Sequence, residues 1–354
     1  MTVVDLDERI YWSDSVGTHL NHWILQRNYS DVFVLMDENS YRFCASHFKD
    51  VFVEENILVI PAGELSKSIA TCNFIWDKLL SSKADNQALL VNIGGGMITD
   101  LGGFCASVYK RGIDYVNIPT TLLAFIDASV GGKTAIDFEG VKNAIGTFSK
   151  PEATILFPGF LNTLPERQLK AGFAEMLKHA LLVGGEMYER LYHPEFFFSL
   201  INGKDIVNSI RFKSSIVKAD FKEKGLRRQL NLGHSLGHAF ESFFLEKNRP
   251  MLHGEAVAAG ILAEAYISTL HEDLDPVYLD ILAPALKHLF SWQTIRTDEV
   301  NKVIAFLTQD KKNLHNAWQF VLIRKPGEWF ISTTVKPQEV EKAIDWLNKL
   351  NYNA

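Results

Sequence analysis

The stretch ALLVNIGGGMITD, residues 88–100, decides how this chain is read. A short, branched apolar run enters three consecutive glycines, and Met97, Leu101, Phe104 and Val108 then recur at helical spacing. The first part is a buried strand and the last an amphipathic helix. Glycines between them let a backbone approach a ligand closely, and the free N–H groups and dipole of the helix suit a pyrophosphate. The plainer account of Gly94, Gly95 and Gly96 is a tight turn that needs positive φ. The pattern is not GxGxxG, so the ordinary dinucleotide fingerprint is absent.

The same alternation extends on both sides. Val32–Met36, Ile57–Ile60 and Tyr115–Ile118 read as buried strands, while Ser40–Lys49 and Ser66–Lys83 are helical, with Ser66 as the cap of the second. Strand–helix–strand order implies a parallel sheet, whose ligands gather at the carboxyl ends of its strands. Asp37, Gly63–Glu64, Gly94–Gly96 and Thr120–Thr121 each follow a strand and are expected at that edge. Asp100 falls in the first turn of its helix, where the dipole favours a carboxylate with or without a ligand. In PAGELSK, residues 61–67, Glu64 can accept from a ribose hydroxyl and Lys67 can meet a phosphate; a solvated capping turn explains the same residues.

Beyond residue 151 one more apolar run, Ala153–Phe157, precedes long helical patterns: Pro165–Leu182, Lys204–Lys222, Ser235–Glu246, Glu255–Leu270, Pro276–Leu289 and Glu299–Thr308. Two strand-like runs, Gln319–Arg324 and Trp329–Thr334, and a helix over Pro337–Asn348 follow. The expected fold is an α/β, Rossmann-like N-terminal domain with a parallel sheet (1–157) and a mainly α-helical C-terminal domain (158–354). A length of 354 residues accommodates two cores. The net charge of −6 argues against a general nucleic-acid partner. Cys44, Cys72 and Cys105 form no CxxC pair and read as reduced thiols of a cytoplasmic protein. No apolar stretch is long enough for a membrane span, and the first residues do not resemble a signal peptide.

Glu175, His179, His234, His238 and His253 lie in otherwise apolar helical runs. Two imidazoles and one carboxylate make a catalytic zinc set with an open position. His234 and His238 share a helix face, but the spacing does not choose between that pair and His234 with His253, and His179 competes with both. A cationic inventory accompanies them: Arg111, Lys133, Lys142, Lys178, Lys213, Arg227 and the pair Lys311–Lys312. Several of these occupy Gly-rich or apolar contexts, where a bare ammonium is costly. Convergence on a carboxylate or phosphate would explain them.

The segments PAGELSKS, GGGMITDLGGF, YKRGIDYVNIPTTLLAFIDASVGGKTAID, VKNAIGTF, LNTLPERQLKAGFAEMLKHALL, KGLRRQLNLGHSLGHAFE, LHGEAVAAGI and QDKKN run in this order from residue 61 to 313. Together they resemble the dehydroquinate synthase family of sugar phosphate cyclases. The resemblance implies a metal, zinc or cobalt, on Glu175, His234 and His253, which assigns His238 to the substrate pocket. Implied NAD contacts are Asp37, Glu64, Lys67, Gly94, Gly95, Gly96, Asp100, Thr120, Thr121, Asp127, Lys133, Lys142 and Thr163. Implied substrate and catalytic positions are Arg111, Asp127, Lys133, Lys142, Asn143, Lys178, Lys213, Arg227, Asn231, His238 and one of Lys311 and Lys312, with Lys311 taken first.

The reaction so implied turns 3-deoxy-arabino-heptulosonate 7-phosphate into 3-dehydroquinate and phosphate. NAD oxidises the substrate transiently and is regenerated, and a homodimer is the family expectation. Two departures stand out. The loop usually reading NHPxGKN is DFEGVKN here, with Val141 for a glycine and a charge at Asp137, and Phe157 stands where an aspartate is usual. Val141 does not reach positive φ cheaply, so the loop is expected to differ locally. The alternatives are a sister cyclase making 2-deoxy-scyllo-inosose or 2-epi-5-epi-valiolone, and a metal-dependent alcohol or glycerol dehydrogenase. Asn231, His238 and the Lys133, Lys142, Lys213 and Arg227 set favour a substrate that carries a carboxylate.

Overall fold

A computed structural model describes residues 3–7, 9–49, 51–139, 141–190, 203–309 and 317–352; Lys311 and Lys312 lie outside the described residues. The chain forms two compact units, Met1–Pro165 with Lys213–Lys222, and Glu166–Phe212 with Glu223–Ala354.

The first unit holds β1 (Val3–Asp7), β2 (Ile10–Ser13), α1 (Val16–Leu25), β3 (Val32–Asp37), α2 (Glu38–Cys44), β4 (Ile57–Ile60), α3 (Ile69–Ser81), β5 (Leu89–Gly94), α4 (Gly96–Val108), β6 (Asp114–Pro119), a hairpin of β7 (Lys133–Phe138) and β8 (Val141–Phe148), and β9 (Ala153–Leu156). Among the described residues the main sheet runs β1-β2-β9-β6-β5-β3-β4, parallel from β2 to β4, with β1 antiparallel at the edge. Burial alternates with the period of two that a strand imposes. Phe33, Leu35 and Leu90 enter the core under α3 and α4, whereas Val34, Met36, Val91 and Ile93 enter the opposite core beside α1. Because β4 lies on one side of β3 and β5 on the other, the chain reverses direction across the sheet there. Such a switch point opens a crevice at the carboxyl ends, beside Asp37 and Gly94.

Several local expectations change. Helix α3 starts later than the sequence suggests, because Ser68, not Ser66, accepts the Thr71 N–H; Ser66 instead donates its hydroxyl to Pro61 O. The helix expected over Ser40–Lys49 tightens to a 3₁₀ turn from Ala45. The β1–β2 hairpin, α1 and the β7–β8 hairpin are additions to the sequence reading, since polar residues interrupt their apolar pattern. In the β7–β8 turn Val141 is an ordinary strand residue opposite Phe138; positive φ falls on Glu139 (49°) and Asn143 (50°). Phe157 packs edge-on against His47 and Phe160, so apolar contact occupies the place of the usual carboxylate.

The second unit comprises α5 (Glu166–Val183), α6 (Gly185–Glu189), α7 (Gly203–Ala219, whose last turns count with the first unit), α8 (His234–Glu246), α9 (His253–Leu270), α10 (Val277–Leu289), α11 (Val300–Gln309), the hairpin β10 (Phe320–Lys325) with β11 (Glu328–Ser332), and α12 (Pro337–Tyr352). Helix α9 is buried almost all round and packs against α5, α8, α12 and β10. A helix apolar on every side belongs in the centre of a unit. Two glycines allow this crowding: a Cβ on Gly254 would meet Ala171 O of α5 at 1.9 Å, and one on Gly260 would meet Gly233 O at 2.0 Å. Among the described residues no helix is long and apolar enough to cross a membrane.

Gly260→Ala should therefore destabilise the second unit by about 1–3 kcal/mol, because the obstacle is backbone rather than a flexible side chain. A fall in the urea midpoint at constant m-value is the expected readout; an unchanged midpoint would contradict the close helix crossing.

Candidate active site

In the first unit the carboxyl edge of the sheet collects the residues expected there. The side chain of Asp37, at the end of β3, accepts the Ser40 N–H at 2.7 Å and so caps α2. None of Gly94, Gly95 and Gly96 has positive φ, which removes the tight-turn explanation. Their lack of side chains serves close approach: a Cβ on Gly95 would stand 3.2 Å from Thr121 Cγ2, and one on Gly96 3.0 Å from Ala128 Cβ. The Thr120 N–H donates to Gly94 O at 2.9 Å, tying the ends of β5 and β6. Thr121 Oγ1 accepts the Ala124 N–H, and Thr163 Oγ1 donates to Phe160 O at 3.0 Å.

Lys67 is the centre of this edge. Its ammonium is 4% exposed and donates to Asp100 Oδ2 at 2.7 Å and to Asn143 Oδ1 at 2.5 Å, with Glu64 3.8 Å away. Burial opposes charge on Lys67, yet Asp100 and Glu64 more than offset it and its pKa rises; burial likewise raises that of Asp100 against the pull of Lys67. Asp100 lies beyond the first turn of α4, so this ion pair, and not the helix dipole, accounts for it. Asp137 adds a clasp that sequence reading treated only as an extra charge. Its N–H donates to Lys67 O at 2.8 Å, while its carboxylate accepts the Asn143 N–H at 2.7 Å and stabilises that residue's left-handed backbone. Lys142, half-buried, immediately precedes Asn143 in β8.

Asp127 lies in a single π turn, Ala124–Ala128, a local widening that recurs at functional sites. Lys213 Nζ donates to its carboxylate at 2.6 Å and also to its main-chain oxygen. Lys133 opens β7 with its side chain exposed. Arg111 is different: it precedes β6, whereas Thr120–Thr121 follow it, so within the chain it stands at the opposite edge of the sheet. The structure does not bring it to the other expected contacts of this unit.

In the second unit α5, α8 and α9 deliver Glu175, His234 and His253, whose donor atoms lie within 4.8 Å of one another. Glu175 Oε1 is 3.5 Å from His234 Nε2 and 3.6 Å from His253 Nε2, and Glu175 Oε2 meets Lys178 Nζ. Tetrahedral ligands at about 2.0–2.1 Å from zinc stand roughly 3.3 Å apart, so the three atoms fit a common ion. Each imidazole is held through its other nitrogen: His234 Nδ1 is 3.0 Å from Leu232 O, and His253 Nδ1 is 3.4 Å from Glu241 Oε2. Burial disfavours charge on His253, but Glu175 and Glu241 prevail and push its pKa up to about 10.

His238 is half-buried, its ring 5.4 Å from that of His234 and 5.8 Å from that of His253. His179, the other competitor, has Nδ1 2.6 Å from Ser209 Oγ. Arg227 is 2% exposed, and Asn231 donates to Glu223 at 2.8 Å. Glu223 and Glu241 were missed from the sequence. Glu241 lies seven residues after His234, on the same helix face, so that spacing could have found it; Glu223 carries no comparable signal.

With this geometry in place, the sequence matches the family model for the 3-dehydroquinate synthase N-terminal domain over residues 57–171 and that for its C-terminal domain over 172–313. It is 36% identical over 345 residues to the 3-dehydroquinate synthase of Parabacteroides distasonis, covering 96% of this chain and 98% of that relative. Among solved structures it resembles a 2-epi-5-epi-valiolone synthase from Streptomyces hygroscopicus subsp. jinggangensis with NAD+ and Zn2+ bound, at TM-score 0.84 and 25% identity, over 99% of both chains. A 2-deoxy-scyllo-inosose synthase complexed with carbaglucose-6-phosphate, NAD+ and Co2+ superposes at TM-score 0.81 and 22% identity, over 97% of this chain and 98% of that one, and supports the fold.

The Lys67 cluster yields a sign test. Lys67→Met should cost roughly 2–3 kcal/mol, the low end for a broken buried pair, because Asp100 keeps 20% of its side chain exposed. Adding Asp100→Leu should recover part of that loss in a double-mutant cycle of denaturation midpoints. Strict additivity of the two losses would show that the pair is not coupled.

Proposed function

The chain belongs to the 3-dehydroquinate synthase family, and from that premise we propose that it converts 3-deoxy-D-arabino-heptulosonate 7-phosphate into 3-dehydroquinate and phosphate. The observation that carries the reading is the convergence of Glu175, His234 and His253. We assign the protein as a carbon–oxygen lyase that depends on NAD and on zinc or cobalt and acts as a cytoplasmic homodimer in the shikimate pathway. When bound, the metal supplies Lewis acidity to a substrate hydroxyl and NAD supplies a reversible hydride acceptor.

The residues then divide the work. Glu175, His234 and His253 hold the metal. Lys178 fixes one oxygen of Glu175 and leaves the other toward the imidazoles. The Leu232 carbonyl favours the His234 tautomer protonated at Nδ1, so that Nε2 keeps its lone pair for the metal. Asp37, Glu64, Lys67, the Gly94–Gly96 turn, Asp100, Thr120, Thr121 and Thr163 are the proposed NAD contacts. Lys133, Lys142, Lys213 and Arg227 neutralise the substrate's carboxylate and phosphate, with Lys311 as a further proposed contact. Asn143, Asn231 and His238 orient its hydroxyls. These cations would hold the substrate's phosphate beside the C–H next to the reacting carbinol, where the phosphate can take that proton as its C–O bond breaks. Substrate and products together stand at the same oxidation level, so the overall conversion is redox-neutral and needs no net oxidant.

The second reading is a sister cyclase, favoured by the close match to the 2-epi-5-epi-valiolone synthase. Protein incubated with the heptulosonate phosphate, NAD and zinc should release phosphate and dehydroquinate in equal amounts without net NADH. Glu175→Ala should lower kcat/KM by at least about 100-fold. Turnover only with sedoheptulose 7-phosphate or glucose 6-phosphate would transfer the assignment to a sister enzyme, and net NADH from a polyol would transfer it to a dehydrogenase.

A further inference from the structure

Helix α8 begins at His234 with no side-chain cap of its own, since its cap residue is Gly233 in the left-handed region (φ 75°). The first N–H groups of a helix need acceptors when buried. Here they find one on another helix. Glu264 of α9 is fully buried and accepts the Gly233 N–H on Oε2 at 2.7 Å and the Leu236 N–H on Oε1 at 3.2 Å. Its two oxygens thus hold the main chain on both sides of His234. The Leu232 carbonyl that orients the imidazole lies one residue before Gly233.

Glu264 also belongs to the helix that His253 opens, eleven residues further along or about 16 Å of axial rise. It therefore joins the backbone under one imidazole to the helix that carries the other. Gly233 and Gly260 remove the Cβ atoms that would hold α8 and α9 apart. Close contact alone leaves two helices free to slide or rotate, whereas a carboxylate with both oxygens engaged fixes register. Sequence reading passed over Glu264 because a glutamate in a helical run looks like a surface residue.

We propose that Glu264 is a positioning residue for the metal donor set: it locks α8 onto α9 so that the Nε2 atoms of His234 and His253 face Glu175 together. This rests on the metal-dependent function above. It concerns the shape of the donor set, not the reaction, so metal binding can be read without turnover.

The test compares the full-length parent with Glu264→Gln and Glu264→Asp. Glu264→Gln keeps the size but replaces one accepting oxygen with an amide NH2; Glu264→Asp keeps the charge and shortens the reach. Zinc affinity by competition with a chelator should fall about 10- to 100-fold in Glu264→Gln, the usual effect of losing a residue that orients a ligand. The visible bands of the cobalt-substituted protein should shift, and NAD affinity should stay within about twofold of the parent, since the proposed NAD contacts lie in the first unit. Should Glu264→Gln fail to fold, Glu264→Asp carries the same comparison. A role confined to stability would lower the melting temperature while leaving zinc affinity and the cobalt spectrum of the folded variant unchanged, and that result overturns the proposal. A parent that takes up no metal would sink the functional reading together with this one; a parent that binds one equivalent, matched by its variants, sinks this one alone.

Discussion

The second unit is arranged around a carboxylate that has no access to water. Glu175 is fully buried on α5, and an ionised carboxylate in such a place costs several kcal/mol unless cations or strong donors face it. Lys178, almost as buried, comes from the next turn of the same helix; the imidazoles come from two other helices. The chain therefore has to bring the amino ends of α8 and α9 onto α5. Glycines make that approach possible at the points where it is needed. Gly254, beside His253, has no Cβ to strike Ala171, one turn before Glu175; Gly233, beside His234, meets α9 with none to strike Ile261. Each histidine is thus paired with the neighbour that lets its helix come close.

This pairing explains what could and could not be read from the sequence. Strands β3, β4, β5 and β6 were legible because buried parallel strands are continuous apolar runs, and the Gly94–Gly96 turn marked where a helix follows. The candidate metal donors were only half legible. HxxxH spacing reports which side chains share a helix face, but not which helices meet, and it gave His238 the same standing as His253. Glu175 Oε1 lies 3.5 Å from His234 Nε2 and 3.6 Å from His253 Nε2, a grouping across three helices that spacing does not report. Family resemblance supplied the same choice earlier by comparison, without a physical reason.

The misses share one cause. Glu223, Glu241 and Glu264 are acidic residues in helices or turns, and composition cannot distinguish a buried acceptor from a solvated charge. Asp100 failed in the opposite direction. A dipole explanation was available from its position, but the helix starts at Gly96 and the residue instead meets Lys67, thirty-three positions earlier in the chain. Long-range pairing of this kind leaves no periodic trace.

Lys67, Lys178 and Lys213 point to a common design. Lys178 and Lys213 stood out in the sequence as cations in unusual contexts and Lys67 as a candidate phosphate contact in a capping turn; Lys67, Lys178 and Lys213 face Asp100, Glu175 and Asp127 in turn. An ammonium stored bare in the interior would shed its proton or destabilise the fold. Pairing keeps it charged and fixed in place. Each pair closes within its own unit, so removing either partner would leave the other charge poorly compensated in a place where water cannot fully replace it.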